Sequence, residues 1–349
     1  MAGLFPPQAR DFLLPTEAPL TAKAAERLAR ESAIQTFAPA ARALSIDWHV
    51  ELDGKEIQRW GEALGKTLCQ QQQAHVEALR QGHHPPGPDN APVLLVIGID
   101  GGRYQSREQD PDTKSRWKED KVASFTSYLP GDGHAKPPEP LVSSYVAATC
   151  DSDAFGPMVK LEALARGAPR ATVVLNISDG AAWIDTIEQE QRLADERIVD
   201  FYHAAEHVHA ACGAALGIES PLVDDCFKEK RTCLWEGRID DLLAWMRQEQ
   251  RRLEGDHAPE ARDLAREIHY VESHRHQMDY PRYRAQGWPI GSGGIESAVK
   301  QFNKRVKGTE QFWNPRQLDA ILAMRALWLA DDLRWLRYWS TRSAYRIAA

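Results

Sequence analysis

Apolar residues recur at helical spacing through residues 20–80. The stretches LTAKAAERLARESAIQTFAPAARAL and GKEIQRWGEALGKTL each repeat the pattern that fills one helical face. Between them LSIDWHVELD breaks the period and closes on Asp53, a residue suited to cap the next helix. Two helices around a short turn make either a helix-turn-helix, with Lys55, Arg59 and Lys66 on its second helix facing DNA, or an ordinary helical hairpin. QGHHPPGPDNAP, residues 81–92, reads as a linker.

Beyond the linker the period changes. PVLLVIGID is a continuous apolar run suited to a strand buried on both faces, and it ends on Asp100 followed by two glycines. A charged, proline-rich stretch then holds a strand at VASFTSYL and a second candidate strand directly after Asp100. SSYVAATC predicts a strand, FGPMVKLEALARG a helix, and ATVVLNIS a further buried strand that ends on Asp179-Gly180. A helix over residues 181–192 leads to the short strand RIVDF and the helix of YHAAEHVHAACGAALG. Three strands, helix, strand, helix, strand, helix is the order of an α/β sheet with crossover units. Residues 215–280 read as polar helices, and GSGGIES then opens a long C-terminal helix.

Composition adds little to this picture and excludes some classes. With 349 residues, 43% hydrophobic and 27% charged, the chain is that of a globular protein of two or three domains. No apolar run approaches the ~20 residues of a membrane span, and the start lacks the layout of a signal peptide. Five cysteines without Cys-x-x-Cys indicate neither a disulfide framework nor a thiolate zinc site, so the expectation is a cytoplasmic protein with no membrane partner. The formal net charge of −7 counts against nucleic acid, but it is an average. From Glu296 to Arg325 six basic residues (Lys300, Lys304, Arg305, Lys307, Arg316, Arg325) stand against three acids. That is a basic segment inside an acidic protein, readable as a solvated face or as a DNA contact.

Two acids, Asp100 and Asp179, end the two most hydrophobic strands, and each precedes glycine. Sites in open α/β sheets form outside the carboxyl ends of strands, although an Asp there is also a common turn or cap residue. Glu296, at the start of a helix behind Gly291-Ser292-Gly293-Gly294, is a third candidate. A glycine-rich turn at a helix N-terminus suits phosphate, yet this one lacks the Walker pattern, and its carboxylate would repel phosphate unless a cation lay between. Clustered carboxylates resist ionisation, divalent cations relieve that cost, and all-oxygen ligation favours magnesium or manganese. His203, His207 and His209 lack the His-Glu-x-x-His order of zinc proteases and default to packed or hydrogen-bonded roles.

Taken together, IGIDGG, NISDGAAW, VDFYHAAEHVHA and YPRYRAQGWPIGSGGIESAVKQFNKRVKGTEQFWNP resemble the DDE transposases of bacterial insertion sequences, most of all the ISKra-type group in the Mutator- and hAT-related branch. The resemblance covers roughly residues 20–340. It implies an RNase H-like mixed sheet with flanking helices and an all-helical insertion. The implied organisation is a helical N-terminal region to residue 80, the linker, a first core part over 93–214, the insertion over 215–285 and core helices over 286–349. Asp100 and Glu296 match the first and last acids of the triad. The second acid of this branch precedes a Cys/Asp-x-x-His signature by about twenty residues. Asp200-Phe-Tyr-His203 matches that signature and Asp179 lies 21 residues before Asp200, which makes Asp179 the implied second acid, with Asp200 and His203 in support. The resemblance further implies two Mg2+ or Mn2+ ions on the three acids, strand cleavage and strand transfer without a covalent protein–DNA intermediate, and a homodimer on DNA. Its partners are double-stranded DNA, the terminal inverted repeats and target DNA, which would associate the protein with the nucleoid. Lys300, Lys304, Arg305, Lys307 and Arg316 are then backbone contacts and Trp313 a base-stacking candidate or a core residue. A non-cutting regulator, an RNase H-like nuclease and, more remotely, a two-carboxylate glycosidase are the rival readings.

Overall fold

A computed structural model describes residues 20–133, 135–254, 258–308 and 311–343. Three helices come first: α1 (Ala22–Ile34), α2 (Phe37–Trp48) and α3 (Gly54–Arg80). Thr21 caps α1 through its hydroxyl, and Asp53 opens α3 with a reciprocal capping box to Glu56. Lys55, Arg59 and Lys66 lie exposed on α3, whereas Ile57, Gly61, Leu64 and Gly65 are buried.

The sheet follows. Strands β1 (Leu94–Ser106), β2 (Trp117–Leu129) and β3 (Glu139–Ala148) form an antiparallel meander. After helix α4 (Ser152–Ala165), strand β4 (Val173–Ser178) pairs parallel to β1 on its other side. Helix α5 (Ala182–Gln191) crosses to β5 (Glu196–Val199), parallel to β4, and α6 (Phe201–Leu216) follows. The resulting order, β3-β2-β1-β4-β5, is the mixed sheet of the RNase H-like fold. The candidate strand after Asp100 is the second half of β1 itself. Gly101 and Gly102 pair with Lys121 and Asp120, so the ladder runs unbroken through the two glycines.

Helices α7 (Val223–Trp235), α8 (Ile239–Leu253), α9 (Ala258–His274) and α10 (Tyr280–Ala285) make up the polar helical stretch, and α11 (Gly293–Val306) begins at the glycine turn. The single long C-terminal helix of the sequence reading is divided. A two-residue strand β6 (Phe312–Trp313) pairs with the end of β1, Asn314 caps α12 (Pro315–Leu329) with Pro315 in its first turn, and α13 (Arg334–Ser343) ends the described chain.

Alternation along β1 and β2 divides the core. Leu95, Ile97, Ile99, Ala123 and Phe125 pack with residues of α4 and α5 on one face. The other face is shared by two helical groups. Leu94, Val96, Leu175 and Ile177 pack with α6 to α10, while Tyr104, Val122 and Ala147 pack with α1 to α3 and α11 to α13. The N-terminal helices therefore bury their apolar face in common with the C-terminal ones. Gly65 makes that closeness possible, since a Cβ there would lie 2.1 Å from the Ala320 carbonyl oxygen.

Candidate active site

Between the two helical groups lies a cleft of about 300 Å³, lined by Ile99, Asp100, Ser178, Asp179, Tyr202, His203, Glu206, Ser292, Ile295 and Glu296. Asp100 comes from the middle of β1, Asp179 from the residue after β4 and Glu296 from the first turn of α11. Gly98 allows α11 to press onto β1, because a Cβ there would meet the Ile295 Cβ at 2.8 Å and the Ser124 hydroxyl at 2.9 Å. Burial pushes the Asp100 carboxyl up to about 6, and the neighbouring Asp179, Glu296 and Glu119 carboxylates add to it; the Gly101 N–H, 2.6 Å from Oδ1, works in the opposite direction. Three of the candidate acids thus line one cleft.

Asp179 sits in a tight turn. Its Oδ1 accepts from the Ala181 N–H at 2.9 Å, and the turn passes through Gly180 at φ +85°. Helix α9 closes over this turn from the polar helical stretch. The Tyr270 hydroxyl donates to the Asp179 carbonyl at 2.8 Å, and His274 Nε2 lies 3.1 Å from the Gly180 carbonyl. A side chain on Gly180 would collide with the His274 ring at 2.8 Å.

Asp200 has a different environment from Asp179. It is 1% exposed and caps α6, with Oδ1 accepting from the N–H groups of Tyr202 (2.5 Å) and His203 (3.1 Å). Its Oδ2 accepts from the Ser292 N–H at 2.5 Å. Both oxygens are occupied by backbone donors, so this carboxylate joins α6 to the glycine turn. Gly291 lies against the Tyr202 ring, where a Cβ would come within 2.9 Å, whereas a Cβ on Gly293 would meet nothing. The turn is therefore crowded on its inner side and open on its outer side.

Glu296 is half exposed. The Ser292 hydroxyl and the Lys300 ammonium each lie 3.4 Å from its carboxylate. Among the described residues no three His, Cys, Asp or Glu side chains already converge as a closed set of metal ligands. The donor set nonetheless suits a hard divalent cation: the three acids line one cleft, Asp100 is raised by burial and then by the charge of the other two, and Glu296 is held only by long contacts.

The basic candidates divide. Lys300, Lys304, Lys307 and Arg316 are exposed. Arg305 and Trp313 are inside. Arg305 is 1% exposed, donates from Nε to the Ser32 carbonyl at 2.6 Å, and packs over the rings of Phe37 and Trp313. Trp313 is 5% exposed and its Nε1 donates to the Val306 carbonyl at 2.8 Å. Neither can reach a DNA backbone or base from there; helical phase turns Arg305 inward while Lys304 beside it faces out. Of the histidines, His203 lines the cleft, His207 lies behind it, and His209 packs edge-on against Phe227. Sequence reasoning missed Tyr202, Glu206, Glu267, Tyr270 and His274. The last three sit at i, i+3 and i+7 in EIHYVESH, on one face of a stretch whose sequence reads only as polar helix.

No family model matches the chain, and no curated protein matches it in sequence. Among solved structures it is similar to a chain described as the Drosophila P element transposase strand transfer complex. The identity is 11% and the TM-score 0.39, over 95% of this chain and 97% of that one. No described helix is long and apolar enough to cross a membrane.

Proposed function

We propose that this protein is a DDE transposase of a bacterial insertion sequence, of the ISKra-type group, which cleaves and joins DNA strands at the ends of its element. The observation that carries this reading is that Asp100, Asp179 and Glu296, from three distant segments, line one cleft on the RNase H-like sheet. The sequence likeness to such transposases spans the same three acids and the glycine turn.

In this reading Asp100, Asp179 and Glu296 hold two Mg2+ or Mn2+ ions, which supply Lewis-acid polarisation of the phosphate and activation of an oxygen nucleophile. Asp200 and its bond to Ser292 fix the turn beside Glu296. The open outer side of that turn lets a DNA backbone approach closely. Exposed Lys300, Lys304, Lys307 and Arg316 contact flanking phosphates without reading sequence, and Lys55 and Arg59 on α3 extend the basic surface. Joining two element ends calls for two active sites, so the working form on DNA is a homodimer.

The test places the gene with its native flanking DNA on a plasmid in cells and scores excised or joined ends by PCR. Products from wild type and none from Glu296→Gln are expected. Equal products from both would remove Glu296 from the chemistry. With the purified protein and labelled end DNA, cleavage should require Mg2+ or Mn2+ and stop in EDTA; cleavage that persists in EDTA would overturn the metal assignment.

A further inference from the structure

Behind the cleft wall a chain of polar groups leads into the insertion. His203 and His207 stand one helical turn apart on α6, with their Nε2 atoms 3.3 Å apart. His207 Nδ1 lies 2.6 Å from a carboxylate oxygen of Glu267 on α9, and the Tyr270 ring stacks on His207 with centroids 3.5 Å apart. On its other side His203 Nδ1 is 3.4 Å from Glu206 Oε2, and the Glu206 side chain is 77% exposed.

We propose that His203 is the residue that takes the proton from the attacking oxygen, and that the insertion sets it for this task through His207 and Glu267. The proposal rests on the strand-cleavage reading above. The tautomers follow from the stronger of the two carboxylate contacts, the enclosed Glu267 at 2.6 Å from His207 against the exposed Glu206 at 3.4 Å from His203. An ionised Glu267 only accepts, so His207 Nδ1 carries the proton and its Nε2 has a lone pair. That lone pair accepts from His203 Nε2–H, which leaves the Nδ1 lone pair of His203 on the side of Glu206. Once protonated, His203 has an acceptor for each N–H: Glu206 at Nδ1 and His207 at Nε2. A cation there is flanked by Glu206 directly and by Glu267 through His207. Tyr270 holds the plane of His207, as a buried second partner orients an acting imidazole. The charged and titratable groups that face the pair are Glu206 and Asp200 on α6, Glu267, Tyr270 and His274 on α9, and Asp179 across the turn.

The bookkeeping closes without another reactant. The water O–H pair becomes the new O–P bond and its proton goes to His203 Nδ1. The P–O3′ pair leaves on the 3′-oxygen, which takes a proton from solvent, and His203 returns its own to solvent past Glu206. His207 and Glu267 are positioning residues that never meet the substrate.

Two readouts test this. The first needs neither metal nor DNA: nitrogen-15 spectra of histidine-labelled protein near pH 8. These should show His207 as the Nδ1–H and His203 as the Nε2–H tautomer, with the His207 pattern altered in Glu267→Gln. An Nε2–H tautomer at His207 would overturn the proposal. The second is the pH profile of single-turnover cleavage of labelled end DNA. His203→Gln should lose on the order of 100-fold in rate, together with the acid-side limb of the profile, and keep its DNA affinity. Glu267→Gln, remote from the cleft, should lower the rate constant without changing the DNA concentration at half-saturation, and Glu267→Asp should recover part of the loss. A wild-type profile in both Gln variants would overturn the relay while leaving the cleavage reading intact. A wild type that never cleaves, with the tautomers as expected, would overturn the cleavage reading and the proton role with it.

Discussion

The Asp200 carboxylate accepts a hydrogen bond from the backbone N–H of Ser292 at 2.5 Å, tying the start of α6 to the turn that precedes Glu296. The Asp179 carboxylate, on the neighbouring strand end, accepts from the Ala181 N–H of its own turn and adds to the charge around Asp100. The two acids should therefore fail differently when amidated. In Asp200→Asn either the amide donor faces the Ser292 N–H or it faces the α6 donors, and a buried donor is left unmatched. Thermal or urea unfolding should show a loss of about 1–3 kcal/mol. Cleavage should be weakened but present.

Asp179→Asn should leave stability nearly unchanged and abolish strand cleavage, with DNA affinity retained in a gel-shift titration. Cleavage surviving in Asp179→Asn and lost in folded Asp200→Asn would reverse the assignment of the second acid.

Gly98 and Ile295 set how closely α11 lies on β1. An alanine at residue 98 would place its Cβ 2.8 Å from that of Ile295, and neither a strand in mid-sheet nor a helix with a buried face can yield cheaply. Gly98→Ala should cost about 1–3 kcal/mol in denaturant melts. By lifting the start of α11 it should also separate Glu296 from Asp100, so cleavage should fall further than stability predicts. Full cleavage in a folded Gly98→Ala would show that the acids tolerate this displacement.

Asp120, on β2, is fully buried, and neither carboxylate oxygen has a hydrogen-bond partner among the other described residues. Burial first, and then the charge of Glu119 and of Asp319, raise its carboxyl to about 6, with its own backbone N–H and Lys121 opposing. The sign follows. The unfolded chain releases this proton near pH 4 while the folded chain holds it to about 6. Asp120 therefore favours the fold fully below pH 4, and the advantage is lost as pH rises through 6. Between these limits the wild type should lose on the order of 2–3 kcal/mol relative to Asp120→Asn, measured as the difference between their urea-unfolding free energies at each pH. A difference that stays flat across that range would mean that Asp120 is ionised at no cost.

Much of the fold was legible because its signals are local. β1 and β4 announced themselves as apolar runs, Asp53 as a cap, and the strand–helix order gave the sheet. The turn around Glu296 was readable because glycine is conspicuous. Illegible from local pattern were the properties that depend on what packs against a residue. Gly101 and Gly102 look like a strand end until β2 pairs with them. Glu267, Tyr270 and His274 look like a solvated helix face until that face closes over Asp179 and His207. Asp179 and Asp200 both follow strands, and their local pattern does not show that Asp200 is enclosed by backbone donors while Asp179 lines the cleft.

Lys304 and Arg305 are adjacent in sequence and opposite in environment. Lys304 is exposed, whereas Arg305 is enclosed by Phe37, Trp313 and the Ser32 carbonyl. Burial first, and then the charge of Arg325, lower the Arg305 guanidinium to about 9, so a cation is kept inside at some cost to solvation. Truncating it removes the packing and strands the Ser32 acceptor. Arg305→Ala should lose about 2–4 kcal/mol of stability in a denaturant melt. Lys304→Ala should change stability by less than about 0.5 kcal/mol. Its effect should instead appear in DNA binding by fluorescence anisotropy, as weaker affinity on any sequence and a salt slope reduced by about 1. An unchanged slope in Lys304→Ala would remove this face of α11 from the DNA path.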